Sequence, residues 1–176
     1  MRNYTSKVGI FSIAIILLGV YVLGTVLYTP PALATIRQLE EVPGQVVYQS
    51  RQAVQDQQGD RWQVIAFNRV RPDGSTSFYL RLVGFPGTAE IDRSQPLTLT
   101  TSLGQSLTAD DASSKIFTDA SAPEPNVGQY DLQPIVAKLP AAIPVQLALP
   151  ILNQPEILLA ISPTLIQEWK TVATYE

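Results

Sequence analysis

The sequence predicts a mainly β (α+β) domain, built from antiparallel strands with a C-terminal helix and preceded by a hydrophobic N-terminal helix. Three observations lead to this fold class. Short runs of strand-forming residues alternate with polar ones, a Pro-Asp-Gly turn separates two of these runs, and an amphipathic pattern follows Ser162-Pro163. About six to eight strands are expected, and a sandwich and a half-open barrel both fit the pattern.

The N-terminal region, residues 1–34, carries the apolar and uncharged run Val8–Tyr28 behind two basic residues. As a helix this run would be roughly 30 Å long, the thickness of the hydrocarbon core of a bilayer. Since basic flanks stay in the cytoplasm, the rest of the chain is expected to be exported. A signal peptide cleaved between Ala34 and Thr35 and a retained transmembrane anchor both remain open.

The composition of the remaining chain excludes several functions. Without Arg2 and Lys7, ten basic residues face fifteen acidic ones, a formal net charge of −5. Such a charge disfavours nucleic acid as a partner, and also binding to anionic lipid through a basic patch. The chain has no Cys and no His, so a Ser-His-Asp or Cys-His site is impossible. Zinc, haem and iron–sulfur ligation by the usual residues is excluded, and no cofactor is predicted.

The first part of the exported region is interpreted as a linker followed by a strand. Residues 35–44 form the short polar linker, which contains the turn signal Pro43-Gly44. Residues 45–176 form the exported β-rich domain. Its first strand is predicted over Gln45–Gln52, where apolar and polar residues alternate.

A central hairpin is the strongest local signal of the domain. Arg61–Val70 and Ser77–Phe85 are rich in β-formers and flank the turn Pro72-Asp73-Gly74. Two registers remain open. If Arg71 pairs with Thr76, Ile65 faces Leu82. A bulge at Gly74 shifts the register by one residue and reverses the faces. In that register one face holds Trp62, Val64, Ala66, Phe78, Leu80 and Leu82.

Four further strands, a loop and two helical segments are predicted in the second half. The strands are Pro96–Thr101, Ser102–Thr108, Val145–Leu149 and Glu156–Ile161. Residues 108–129 are expected to form a long loop with an extended piece at Ile116-Phe117. One or two helical turns are expected over Asp131–Lys138. The last helix begins at the N-cap Ser162 and runs to about Thr174. Its apolar stripe is Leu165, Ile166, Trp169 and Val172.

Trp62, Tyr79, Arg81 and Phe85 are the candidate partner-binding residues, because aromatic side chains and arginine are enriched at interfaces. Ordinary core packing is the alternative for the aromatic residues. Arg69, Arg71 and Arg81, all near the hairpin, form a second candidate set that could bind a carboxylate or phosphate in a bidentate manner. Their alternative role is to cover a solvated sheet face and protect it from aggregation.

Two other segments carry candidate sites. Asp110, Asp111, Asp119 and Glu124 could bind calcium or serve as a glycosidase pair, but their spacing is not that of a calcium loop, and a solvated acidic loop is favoured. No catalytic or metal-binding residue is therefore predicted. The uncharged segment Leu139–Pro155 is expected to be buried or to dock on another surface.

The stretch Leu80–Gly87 (LRLVGFPG), together with an export segment ending Pro30-Pro31-Ala32-Leu33-Ala34, resembles a family of small cyanobacterial proteins with an exported domain of unknown function. The likeness would cover most of residues 45–172. It implies a bacterial host with thylakoids and a location in the thylakoid lumen or periplasm. It provides no catalytic or ligand residues.

Three functions follow from these observations. The first is a non-enzymatic accessory or assembly protein, which binds a membrane protein complex on the luminal or periplasmic side of a photosynthetic membrane. The second is a carrier of a small apolar ligand in a β cavity. The third is a hydrolase that depends on carboxylates alone. The oligomeric state is not predicted.

Overall fold

The computed structural model describes residues 36–117 and 122–176. Nine strands and one α-helix lie within them. The strands are β1 (Arg37–Val42), β2 (Gln45–Gln55), β3 (Arg61–Val70), β4 (Thr76–Val83), β5 (Leu97–Thr101), β6 (Ser106–Ala109), β7 (Val127–Asp131), β8 (Val145–Leu149) and β9 (Ile157–Ile161). Helix α1 spans Pro163–Ala173, and short 3-10 turns lie at Ser113–Lys115 and Val136–Lys138.

The strands of the described chain form two antiparallel sheets. The first sheet has the order β1-β2-β3-β4-β7, and the second has the order β6-β5-β8-β9. Neither sheet closes into a barrel within the described residues. The predicted fold class, a mainly β domain with a C-terminal helix, is confirmed at this level.

The hairpin of β3 and β4 adopts the register with the bulge. Val64 pairs with Leu82, and Val70 pairs with Thr76. The amide of Gly74 donates to the carbonyl of Arg71, and Gly74 has a φ of +78°. A type I turn followed by a glycine with positive φ is the common three-residue hairpin loop, and it sets this register.

One core joins the two sheets and the helix. Trp62, Val64 and Leu80 from the inner face of the first sheet belong to the same buried cluster as Leu147 of the second sheet and Trp169 of α1. The predicted apolar stripe of the helix is fully confirmed, because all four of its residues are buried. The hydroxyl of Ser162 accepts a hydrogen bond from the amide of Leu165 at 3.2 Å, as predicted for the N-cap.

Two strands were not predicted. Residues 37–42, assigned to a linker, form the edge strand β1, which pairs with β2. Val127–Asp131 forms β7, which pairs with β4, although most of it was assigned to a loop. Both strands are short and largely polar, so their sequences show little alternation of apolar and polar residues. Each is a strand because it pairs with a longer neighbouring strand.

Other local predictions also need correction. The predicted extended piece at Ile116-Phe117 forms no strand, because Ile116 ends the 3-10 turn Ser113–Lys115 with a helical backbone (φ −70°, ψ −44°). Asp131 ends β7 instead of capping a helix, and only Val136–Lys138 is helical. Ser102–Thr108 is shorter as a strand, because β6 covers only Ser106–Ala109.

The predictions for residues 1–34 and for cleavage between Ala34 and Thr35 lie outside the described residues. Within residues 36–117 and 122–176, no helix has both the length and the apolar character needed to cross a membrane.

Candidate partner-binding face

The outer face of the first sheet, turned away from the shared core, collects the arginines of four strands. Side chains alternate between the two faces of a strand, and paired residues share a face. Arg51 pairs with Ile65, and Ile65 pairs with Arg81, so these three side chains form one row. The outward arginines of β1–β4 are Arg37, Arg51, Arg61, Arg69 and Arg81. We call this surface the arginine face.

A small apolar layer supports the arginine face. Phe67 and Tyr79 are each 4% exposed, and their ring centroids lie 5.7 Å apart. Val47, Ile65 and Ala112 complete this second buried cluster. The side chains of Arg69 and Arg81 lie over this apolar layer, which limits the positions that they adopt.

Arg81 is held in place by a neighbouring amide and by an aromatic ring. Its Nε and Nη2 atoms both donate to Oε1 of Gln129, at 3.2 and 2.7 Å. Its guanidinium carbon lies 5.1 Å from the centroid of Phe67. Burial, and then the neighbouring Arg69 cation, lower the pKa of Arg81 below its ordinary value.

The cations around Arg81 have few acidic partners. Arg69 binds Glu41, with 2.9 Å between Nε and Oε2, and this is the only salt bridge within residues 36–117 and 122–176. Arg69 also lies over Phe67, with its guanidinium carbon 5.8 Å from the ring centroid, so two cations share one ring. Lys115 lies over the Tyr79 ring at 5.5 Å. The face therefore carries excess positive charge on a domain that is acidic overall.

The four candidate residues from the sequence do not form one patch. Trp62 is 1% exposed and lies in the shared core, where its Nε1 donates to Asp56 at 3.1 Å. Tyr79 and Arg81 lie on the opposite face of the sheet. Phe85 follows β4 in a loop and is 72% exposed. Only Arg81 and Phe85 of this set offer substantial surface to a partner.

Several residues of the face were missed in the sequence. Gln129 lies on β7, which was not predicted, and Phe67 lies in the predicted strand Arg61–Val70 but was not named as a site residue. Arg37 lies in the assumed linker. Arg51 could have been placed on this face from the sequence, because pairing β2 with β3 sets Arg51 opposite Ile65. The other hairpin cation, Arg71, donates to Ser77 at 3.2 Å at the turn end of the same face.

The candidate carboxylates do not converge in the described chain. Both carboxylate oxygens of Asp111 accept hydrogen bonds from Ser113, one from the hydroxyl at 2.6 Å and one from the amide at 3.2 Å. Asp119 lies outside the described residues. Among the residues that are described, no group of three or more acidic side chains is placed to hold a metal ion.

The space between the sheets is filled by large side chains. Trp62, Trp169, Tyr130 and Phe78 are the bulkiest fully buried residues there. The uncharged segment Leu139–Pro155, predicted to be buried or to dock on another surface, is buried only in part. Leu139, Val145, Leu147, Leu149 and Ile151 are buried, whereas residues 152–155 are exposed. This packing lends no support to the hypothesis of a carrier with an internal cavity.

The comparison with known families gives one match, to the family described as "Protein of unknown function (DUF3122)", over residues 34–172. The chain belongs to this family. The DUF3122 region contains both sheets and the whole arginine face, and it includes the strand β1. No curated protein and no solved structure matches the chain.

Proposed function

We propose that this DUF3122 protein is a non-enzymatic accessory or assembly protein, which acts by binding another protein through its arginine face. The observation that carries the proposal is the concentration of Arg37, Arg51, Arg69 and Arg81 on one face of the first sheet. Among the described residues, Glu41 is the only acidic partner in a salt bridge on this face. Arginine is enriched at protein interfaces, and charge complementarity selects partners.

The location belongs to the same proposal. The apolar run Val8–Tyr28 and its basic flank favour export of the domain, either tethered or released after Ala34. The resemblance to small exported cyanobacterial proteins favours the thylakoid lumen or periplasm. The partner is then a membrane protein complex that is exposed on that side of a photosynthetic membrane.

Co-purification from the native host tests this function. Tagged wild-type protein, Arg51→Glu and Lys138→Glu are each isolated from membranes in mild detergent. Both substitutions reverse one exposed cation, but only Arg51 lies on the arginine face. We expect a membrane complex to co-purify with wild type and Lys138→Glu and to be depleted with Arg51→Glu. Equal recovery with all three, or no complex with any, would reject the proposal.

The intact mass of the protein in each fraction tests the location. A species that begins at Thr35 in the soluble fraction supports a free exported domain. A species that retains Val8–Tyr28 in the membrane fraction supports a tethered one. An uncleaved protein in the soluble cytoplasm would contradict export.

A further inference from the structure

Arg81 is a half-buried cation that has no carboxylate partner among residues 36–117 and 122–176. Its only hydrogen bonds there go to the neutral amide oxygen of Gln129, through Nε and Nη2. Charged groups that are withdrawn from water are normally paired, because burial removes their hydration. In the described chain no acceptor meets Nη1, so that side of the guanidinium is left to water or to an anion from outside these residues.

The cations around Arg81 make the binding of an anion at this position more favourable. Arg51 lies two strands away in the same row, about 10 Å from it at the usual strand spacing. Arg69 shares the Phe67 ring with it. Like charges held this close repel one another, and an acidic ligand that bridges them would relieve the repulsion.

We propose that the arginine face binds an extended acidic segment of a partner protein, and that Arg81 receives one of its carboxylates while Arg51 binds a flanking one, beside Arg69 in its pair with Glu41. This inference rests on the proposed function and adds the chemistry of the partner. Arginine forms planar, bidentate pairs with carboxylates. The guanidinium of Arg81 is already oriented by its hydrogen bonds to Gln129 and its packing on Phe67.

A protein segment fits this face better than an anionic membrane surface. The domain after residue 34 has a formal net charge of −5, so a uniformly anionic plane would repel most of it. Glu41 and Asp131 lie on the same outer face, at its β1 and β7 edges. A narrow acidic segment can bind between these two carboxylates. A plane of anionic headgroups would lie against both of them and be repelled.

The test is a titration of the full-length protein in nonionic detergent micelles, followed through the arginine Nε–H resonances. The probes are an oligo-glutamate peptide, an oligo-glutamine peptide of the same length, and phosphatidylglycerol added to the micelles. We expect oligo-glutamate to move the Arg81, Arg51 and Arg69 resonances, with an effect that weakens as salt is added. Oligo-glutamine should move none of them.

Variants separate specific recognition from general attraction. Arg51→Glu should lower the affinity for oligo-glutamate about tenfold, and Lys138→Glu should leave it nearly unchanged. Arg51 is exposed, so its substitution does not disturb the core. Equal losses in both variants would overturn the proposal. Movement of the Arg81 resonance by phosphatidylglycerol alone would also overturn it and would assign the face to lipid.

The outcomes distinguish this inference from the function on which it rests. If Arg51→Glu loses the native complex but oligo-glutamate does not bind wild type, the function stands and the acidic segment is wrong. If oligo-glutamate binds but no native complex co-purifies, the recognition chemistry stands and the accessory function is wrong.

Discussion

The six-membered ring of Trp62 packs directly on the backbone of Gly84. A Cβ atom at position 84 would lie 2.8 Å from Cη2 of Trp62 and 3.0 Å from its Cζ2 and Cζ3 atoms. Trp62 is 1% exposed and cannot move aside freely. Gly84→Ala should therefore destabilise the domain by about 1–3 kcal/mol, the usual cost of overpacking a core. Urea unfolding monitored by tryptophan fluorescence would measure this loss.

The Trp62→Phe background provides the control for this clash. Phenylalanine lacks the outer ring atoms that a new Cβ would meet, so Gly84→Ala should cost much less in that background. A double-mutant cycle then gives a coupling energy of about 1 kcal/mol or more. If the two substitutions are simply additive, the contact does not limit the residue at position 84.

The hairpin shows how far the sequence could predict the fold. Pro72-Asp73-Gly74 indicated both the turn and a bulge, but the choice of register depended on the backbone of Gly74, which has a φ of +78°. Local turn chemistry therefore left two registers open, and burial of Trp62 and Phe78 in the shared core is satisfied by only one. In the same way Ser162-Pro163 located the last helix, because capping is a local property.

The arginine face was harder to predict, because it depends on pairings between distant parts of the chain. Arg81 and Gln129 are 48 positions apart in sequence and meet only because β7 pairs with β4. β7 contains Gly128 and Gln129 and ends at Asp131, so little in its own sequence marks it as a strand. Trp62 was grouped with Tyr79 by residue type, although the two side chains lie on opposite faces.

The N-cap of helix α1 makes a measurable contribution to stability. Ser162→Ala removes the hydroxyl that accepts from the Leu165 amide, and should lower the free energy of unfolding by about 1 kcal/mol. Ser162→Asp retains an acceptor and adds a negative charge at the helix N-terminus, so it should remain close to wild type. Urea titration of the three proteins checks this order. An Ala variant as stable as wild type would contradict a role for the cap.

The turn residue Asp73 provides a prediction about pH. Hydrogen bonds from the Ser75 side chain and amide hold the pKa of Asp73 below its ordinary value. A carboxyl whose pKa is lowered by folding adds stability above its unfolded pKa and loses it as the pH falls through the folded value. This contribution should therefore disappear only below about pH 4. Ser75→Ala should raise the pKa of Asp73 towards its ordinary value.

Carboxyl ¹³C NMR titration would measure this pKa in both proteins. An unchanged pKa of Asp73 in Ser75→Ala would show that the hydroxyl has no effect on the carboxylate.

The hydrogen bonds between Arg81 and Gln129 predict a structural role for Arg81 that can be measured apart from its proposed role in binding. Gln129 is fully buried, and its Oε1 accepts two hydrogen bonds from Arg81. Arg81→Met removes both donors and leaves a buried acceptor without a partner, so it should lower the free energy of unfolding by about 1–3 kcal/mol. Arg81→Lys should lose less, because an ammonium group can still reach Oε1 with one donor. Urea unfolding of the free protein measures both effects. If Arg81→Met is as stable as wild type, the bonds to Gln129 make no net contribution, and the position of Arg81 must be maintained by its packing on Phe67 alone.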